Sequence, residues 1–565
     1  MSPRIYTSPY PSFPLESRSI FTHLLSVDPS NSKVGGFPAQ GKAFIDAASG
    51  NTITRAELRS LALRFGYGLR HDSRIKAKRG DTVMLYCPNS LAYPVLLFGA
   101  IAAGLRCTLA NNAYTARELE HQYLDSGAYM VITDNLDATL KMLEGLGLTH
   151  ADAEKRVILL TNSFVWAGGA AASESENVQG SITFEQLLGL GELSQEEKFD
   201  EDAAQETVLL CYSSGTTGQP KGVETTHQNL TTAMQAINMV LGYDPGDRLL
   251  IFLPFYHIYG VVCGLLFPMF CNTTTIVMPR FDPTAFCSNV EKYRITSVLI
   301  VPPVMLAIAR HPVIDKYNLS SIKLLFSSAA PLSPLLVQEG SKRLLAKRKS
   351  SQALYITEGY GMSETSPASH ILPSDYCVTK MGSIGLLLPN YQARIVEDDS
   401  GESVVDAEEG KPGELWVRGP TVMKEKGTDK VQGLPRHAAV EFIRVRWAYS
   451  CFDTVPPAEL ERMLISHPEI ADAAVIGVYS EEDATELPRA YVVHKEPAKL
   501  SAVDIRKGFE KSVAMWMESK VAKHKYLRGG VVVINEIPRS AAGKILRREL
   551  RELAKKESKL VQSKL

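Results

Sequence analysis

Tyr212-Ser213-Ser214-Gly215-Thr216-Thr217-Gly218-Gln219-Pro220-Lys221-Gly222 decides how this chain is read. An apolar run, Thr207-Val208-Leu209-Leu210-Cys211, leads into it with the composition of a buried strand. The stretch from Val223 to Leu241 follows and reads as helical. Glycines let a backbone turn sharply and approach a ligand closely. Hydroxyls and backbone N–H groups of Ser213, Ser214, Gly215, Thr216, Thr217 and Gly218 can then point at phosphate oxygens, and Lys221 adds a point charge. That chemistry suits a polyphosphate. The pattern differs from the G-x-x-x-x-G-K-[ST] loop, since Pro220 separates Gln219 from Lys221 and Gly222 follows the lysine. A plain Ser/Gly linker would have the same composition, and the flanking strand and helix argue against it.

Alternation of strands and helices spreads outward from this loop. Asp81–Tyr86, Tyr129–Thr133, Asp247–Leu253, Thr274–Met278, Ser297–Val301, Ile322–Phe326 and Ala353–Thr357 read as strands. Thr54-Arg55-Ala56-Glu57 is a capping box opening a helix through Leu69, and Ser90 to Ala103 is apolar all round, hence a buried helix. Such alternation predicts an α/β domain with a largely parallel sheet. Residues 1–40 read as a surface arm and residues 163–206 as a surface insertion. Gly382–Gly385, Tyr391–Val396 and Gly413–Gly419 read as short strands of a small β-barrel or sheet. From Val455 a smaller α+β domain begins, with strands at Ile470–Val478, Ala490–His494 and Val531–Ile534 and helices at Pro457–His467 and Ser501–Lys520.

A chain of 565 residues is too long for one core, so at least two domains are expected. A net charge of −1 gives no electrostatic case for nucleic acid. The eight cysteines are scattered without a C-x-x-C pair and read as small buried hydrophobes in a reducing compartment. The longest apolar segment, Ile258 to Phe270, is too short for a membrane span and contains Pro268.

Several motifs are placed to end strands of a parallel sheet, where ligands of such sheets bind. Pro254-Phe255-Tyr256-His257-Ile258-Tyr259-Gly260 carries a lone histidine, which from composition alone is as much a core residue as a site residue. Glu358-Gly359-Tyr360-Gly361-Met362-Ser363-Glu364 combines an aromatic between glycines, able to stack on a flat ring, with a hydroxyl for a phosphate and a hard oxygen ligand for Mg²⁺. Ser327-Ser328-Ala329-Ala330-Pro331 ends another strand. Near the C-terminus, Pro538-Arg539-Ser540-Ala541-Ala542-Gly543-Lys544 puts Lys544 at a Gly-preceded tip, although one more cation on a basic final helix would look the same.

Taken together, from about Phe44 to Leu550, these residues resemble the adenylate-forming (AMP-binding) superfamily, and within it the 4-coumarate–CoA ligase-like acyl- and aryl-CoA ligases. The resemblance implies a large N-terminal domain of parallel α/β subdomains with a small β-barrel, and a smaller α+β C-terminal domain. The boundaries it implies are 1–423, an anomalous junction at 424–454, 455–553, and a tail at 554–565. It implies ATP, Mg²⁺ and CoA as cofactors and a small carboxylic acid, aromatic or medium- to long-chain aliphatic, as substrate. Lys544, Lys221 and His257 then stand as catalytic residues, the two lysines as cations and His257 at the junction of nucleotide and acid pockets, where it also contacts the acid. Ser328, Ala329, Ala330, Glu358, Gly359, Tyr360, Gly361, Met362 and Ser363 join the phosphate loop as nucleotide contacts, and Glu364 as the Mg²⁺ ligand. Tyr259, Cys263, Gly359, Pro367 and Ala368 match acid-pocket positions. Two departures are Ser328, where the family usually has Gly, and Glu358, where coumarate-ligase relatives often carry Gln. The implied reaction has two steps: the carboxylate attacks the ATP α-phosphate, and a thiol then displaces AMP.

One interval departs further. Only 35 residues separate Gly419 from Val455, and they hold neither the T-G-D motif nor the D-R-x-K-E motif that the resemblance leads one to expect there. The sharp edges motivate the hypothesis of a mis-spliced or frame-shifted segment, the competing reading being a diverged, catalytically impaired nucleotide-binding homologue. An adenylating enzyme serving a carrier protein, and one that oxidises its acyl-adenylate as luciferases do, would carry the same motifs. The final Ser563-Lys564-Leu565 has the form of a peroxisomal address, implying an import receptor as partner and a peroxisomal location.

Overall fold

The computed structural model describes residues 4–161, 165–169, 181–213, 220–330, 332–346, 348, 353–397, 405–410, 413–424, 443–445, 457–480, 482–483, 485–500, 502–538, 545 and 547–562. Residues 214–219 of the phosphate loop, Lys544, most of the 424–454 junction and Ser563–Leu565 lie outside them. Contacts divide the chain into two units, residues 1–212 with 222–448, and residues 213–221 with 449–565.

The first unit is built on two mainly parallel sheets. One has seven strands in the order Ile182–Thr183, Val157–Leu159, Ala128–Thr133, Thr82–Tyr86, Arg106–Leu109, Thr207–Ser213, Lys221–Thr226. The other has nine, in the order Leu386–Leu387, Ala368–Ile371, Tyr355–Gly361, Leu324–Ser327, Ser297–Ile300, Arg248–Ile251, Thr274–Val277, Lys42–Asp46, Thr52–Thr54. Its six consecutive strands from Tyr355–Gly361 to Lys42–Asp46 are parallel, and antiparallel strands close both edges. Strands covered on both faces read as unbroken apolar runs, and Thr82–Tyr86 and Ser297–Ile300 are buried throughout. The helix Ala92–Ala102 is buried at all its positions, as an all-round apolar helix must be. Helix Arg55–His71 starts at the expected capping box, the Thr54 N–H donating to Glu57 at 2.8 Å while the Glu57 N–H donates back to Thr54 Oγ1 at 3.2 Å.

Several expectations need correcting. Val223 does not open a helix: Lys221–Thr226 is a strand, and the helix His227–Asn238 starts only after Thr226 caps it. β-branched Val223, Thr225 and Thr226 suit a pleated edge, and Asn229 completes the cap through Thr226. The first forty residues are not merely a surface arm, because Ile20, Phe21, Leu24 and Leu25 form a buried helix face. Within the supposed insertion, Ile182, Phe184, Leu187 and Phe199 enter the core. Gly382–Gly385 is not a strand: a turn ends at Gly382, and the strand lies just beyond this stretch at Leu386–Leu387.

The small sheet is four-stranded, in the order Tyr6–Thr7, Gln392–Val396, Glu414–Arg418, Ile443–Val445, all antiparallel. Its last strand comes from the atypical junction, pairing Ile443 with Val417 and Val445 with Leu415. In the second unit, Ile470–Ser480 and Thr485–His494 form a long hairpin, Val531–Val533 adds a parallel strand, and the helices Pro457–Ile465, Val503–Glu518 and Arg547–Gln562 accompany it. Leu460, Leu464, Val475, Val492, Val513 and Met517 make one core cluster, while Tyr491, Ile537, Leu550 and Ala554 make another. The last of these helices, Arg547–Gln562, spans the expected boundary at 553.

Candidate active site

The motifs are distributed over two sheets. The phosphate stretch follows the strand Thr207–Ser213 of the seven-stranded sheet, with Ser213 as that strand's last residue and Lys221 as the first of the next. At its base, the Tyr212 hydroxyl donates to Asp125 at 2.6 Å. The other motifs belong to the nine-stranded sheet. His257 and Tyr259 follow Arg248–Ile251, Ser328 to Ala330 follow Leu324–Ser327, and Glu358 to Gly361 form the second half of Tyr355–Gly361. This last placement corrects the expected strand end at Thr357, since the strand runs on through Gly361 and pairs with Ala368–Ile371.

Neighbouring parallel strands bring these residues together. Ser327 lies opposite Glu358 in register. The Ser328 hydroxyl donates to the Gly359 carbonyl at 2.9 Å, which gives the serine a use that a glycine could not fill. Ala329 has φ +71°, a conformation that costs a residue with a Cβ roughly 1–2 kcal/mol. Gly359 is required because an added Cβ would come within 2.4 Å of the Phe326 ring. That ring also packs edge-on against Tyr259, whose hydroxyl donates to the Phe326 carbonyl at 2.9 Å. Tyr259 therefore spends its polar end on the main chain.

Below Tyr259 runs a π-helix, Gly260–Leu266, buried at every position and containing Cys263. Single π turns inside helices occur often at functional sites. Burial pushes the Cys263 thiol up to about 12, so it acts as a small apolar wall. His257 accepts the Tyr259 N–H on Nδ1 at 3.2 Å, which assigns the proton of its neutral form to Nε2. Surrounding protein holds its pKa down to about 4, although part of its surface is open. It is thus neutral at physiological pH and cannot serve there as a cation.

Glu364 and Ser363 lie in a buried single turn, Ser363–Thr365, just after Met362. The Met423 N–H donates to the Glu364 carbonyl at 2.9 Å. Pro367 follows a cis peptide bond, and Ala368 starts the antiparallel strand. Sequence reasoning missed the support beneath this turn. The buried Tyr391 hydroxyl lies 3.2 Å from both the Thr365 and Ala368 carbonyls and bonds the Thr421 hydroxyl, which donates to Thr365 O at 2.9 Å. Asn229 donates to the Pro420 and Val422 carbonyls at 2.8 and 3.2 Å. His370, packed edge-on to Tyr360 with centroids 5.9 Å apart, was missed as well. No local pattern marks these residues, because their partners lie far along the chain.

Among the described residues no group of three His, Cys, Asp or Glu side chains could hold a metal ion. No described helix is long and apolar enough to cross a membrane.

Comparison with known proteins bears on what this arrangement serves. Residues 33–425 match the family described as AMP-binding enzyme, and residues 459–544 match the AMP-binding enzyme C-terminal domain. Among curated relatives, a probable 4-coumarate–CoA ligase 1 of Dictyostelium discoideum is 33% identical over 508 residues, covering 85% of this chain and 87% of that protein. The 4-coumarate–CoA ligase 1 of Narcissus pseudonarcissus is 30% identical, covering 90% of each. Among solved structures, an o-succinylbenzoate CoA synthetase from Bacillus subtilis superposes with TM-score 0.71 at 22% identity, covering 95% of this chain and 99% of that one. A benzoate CoA ligase from Burkholderia xenovorans gives TM-score 0.61 at 20% identity, covering 94% of this chain and 99% of that one. At these identities the structural likeness speaks for the fold.

Proposed function

Because this chain belongs to the AMP-binding enzyme family, we propose that it is an ATP-dependent carboxylic acid–CoA ligase working through an acyl-adenylate. The observation that carries this reading is the convergence of Ser328, Gly359 and Tyr259 around Phe326, beside Tyr360 on the strand that leads into the turn holding Glu364. In this reading Tyr360 faces the adenine, and Ser363 and the loop from Ser213 to Lys221 take the phosphates. A buried carboxylate of the Glu364 kind suits Mg²⁺, which takes one or two carboxylates and completes its shell with phosphate oxygens. The ion would supply charge neutralisation on the phosphates. Neutral His257 divides the two pockets, and Cys263 with Tyr259 presents an apolar wall to an aromatic or aliphatic acid. Lys544 stabilises charge at the carboxylate–α-phosphate centre.

Pyrophosphate release by the purified chain with ATP, Mg²⁺ and a panel of acids tests the first step, and CoA thioester formation the second. The panel holds 4-coumarate, benzoate, o-succinylbenzoate and fatty acids. Acid-dependent release is expected, with Lys544→Ala reducing it by about 10²-fold or more. Release that ignores the added acid refutes the reading.

A second reading, a nucleotide-binding homologue with poor turnover, is favoured by one observation: the interval 420–454 has neither T-G-D nor D-R-x-K-E. Sequencing the transcript across codons 415–460 separates the two. Restored motifs support the ligase, and the same 35 residues support the impaired homologue.

A further inference from the structure

Glu358 stands where two loops meet its strand, and both of its carboxylate oxygens are in use. Oε2 accepts the backbone N–H of Leu332 at 3.3 Å, and Oε1 accepts that of Gly382 at 3.1 Å. Leu332 follows the segment carrying Ser328, Ala329 and Ala330, and Gly382 lies in the turn before Leu386–Leu387. The main chain beneath is fixed, since Glu358 lies opposite Ser327 in register and its carbonyl accepts the Leu372 N–H at 2.8 Å. We propose that Glu358 is a positioning residue whose ionised carboxylate sets both segments against the strand that carries Gly359, Tyr360 and Gly361. Its effect on catalysis rests on the ligase reading above; its geometry does not.

Two acceptors are needed at this place. A glutamine offers one carbonyl oxygen and one NH₂ group, so in either orientation a backbone N–H would meet another N–H. Protonation of Glu358 has the same consequence, because one acceptor becomes an O–H donor. Burial raises this carboxyl above its ordinary 4.5, while the N–H groups of Gly382 and Leu332 pull in the opposite direction. The titratable and charged groups on the neighbouring segments are Lys380 beside the Gly382 turn, Tyr360 on the same strand and His370 on the next. The ionised form, and with it activity, is lost as pH falls through the raised value. Stability moves the other way: a carboxyl raised in the folded state binds its proton more tightly there than in the unfolded chain, so acidification through this window costs the fold nothing from this group.

The test compares wild type with Glu358→Gln from about pH 5 to 8 by pyrophosphate release, thermal melting and hydrogen exchange in peptides spanning 328–332 and 380–384. Wild-type activity is expected to show an acid limb above 4.5 that no fall in Tm from this group accompanies. Glu358→Gln is expected to lose that limb, to run roughly tenfold or more below wild type near neutral pH, to keep its Tm, and to exchange faster in one or both peptides. Equal rates and pH profiles, or unchanged exchange in both peptides, overturn the proposal. If neither protein releases pyrophosphate with any acid, the ligase reading falls, and exchange alone decides the positioning role.

Discussion

At the residue scale, Arg55 is a closely held group outside the site. It is 2% exposed, and its guanidinium donates to the carbonyls of Val34, Met269 and Leu24 at 2.8, 2.9 and 3.1 Å. It ties the N-terminal segment and the helix Phe267–Phe270 to the helix it begins. Arg55→Ala leaves three buried carbonyls without that donor, and should cost about 3 kcal/mol or more in urea unfolding. Arg55→Lys, a point cation without the planar fork, should recover only part of that. Buried histidines make a second prediction. His227 accepts the Ile20 N–H on Nδ1, and burial, with Arg79 adding to it, pulls its pKa down to about 3; burial alone pulls His370 to about 4. Depressed bases contribute stability above the unfolded value of 6.5 that is lost as pH falls toward the folded value. By about pH 5 each should have removed about 2 kcal/mol. Melting curves across that range should slope accordingly, and more gently in His227→Asn, whose amide oxygen can take over the bond from Ile20.

At the scale of elements, the strand Tyr355–Gly361 is where the sequence and its neighbours disagree. G-Y-G looks like a loop, because two glycines within three residues weaken a strand. Here the glycines are a packing requirement. A Cβ on Gly361 would lie 2.0 Å from the Pro367 carbonyl oxygen and 2.6 Å from the Ala368 Cα. The ladder slips at this point, pairing Tyr360 with His370 and Gly361 with Ala368, so that Ser369 is bulged out. Gly361→Ala should therefore cost on the order of 2 kcal/mol and lower pyrophosphate release more than Km for CoA. Unchanged melting and rate in that variant would mean that the bulge adapts freely. The capping box at Thr54, by contrast, was legible in the sequence, because a cap is made by residues three apart.

At the scale of the whole molecule, each unit carries its own core. The cluster around Leu460, Val475, Val492 and Val513 draws only on residues beyond 455. The Glu461 carboxylate accepts the Val475 N–H at 2.8 Å and two bonds from Arg547 at 2.7 and 2.8 Å, closing the same region internally. Residues 455–565 expressed alone should then unfold cooperatively in a single transition. A fragment with helical circular dichroism but no transition would show that its packing depends on the remainder of the chain.

What the sequence determined by itself was local: the alternation of strand and helix, the capping box at Thr54, the buried apolar helix, and the motifs from Ser213 to Lys221 and from Glu358 to Glu364. These are patterns of period two or 3.6, or short runs of special residues, and each is complete within about twenty positions. Only the tertiary structure decided which strands are neighbours, that Glu358 holds Leu332 and Gly382, that Tyr391 and Thr421 brace the turn at Glu364, and that Ile443–Val445 completes the small sheet. Those arrangements rest on partners tens to hundreds of residues apart. Strand order and side-chain bonds across it are set by which faces can be buried together, and no single stretch of chain contains that information.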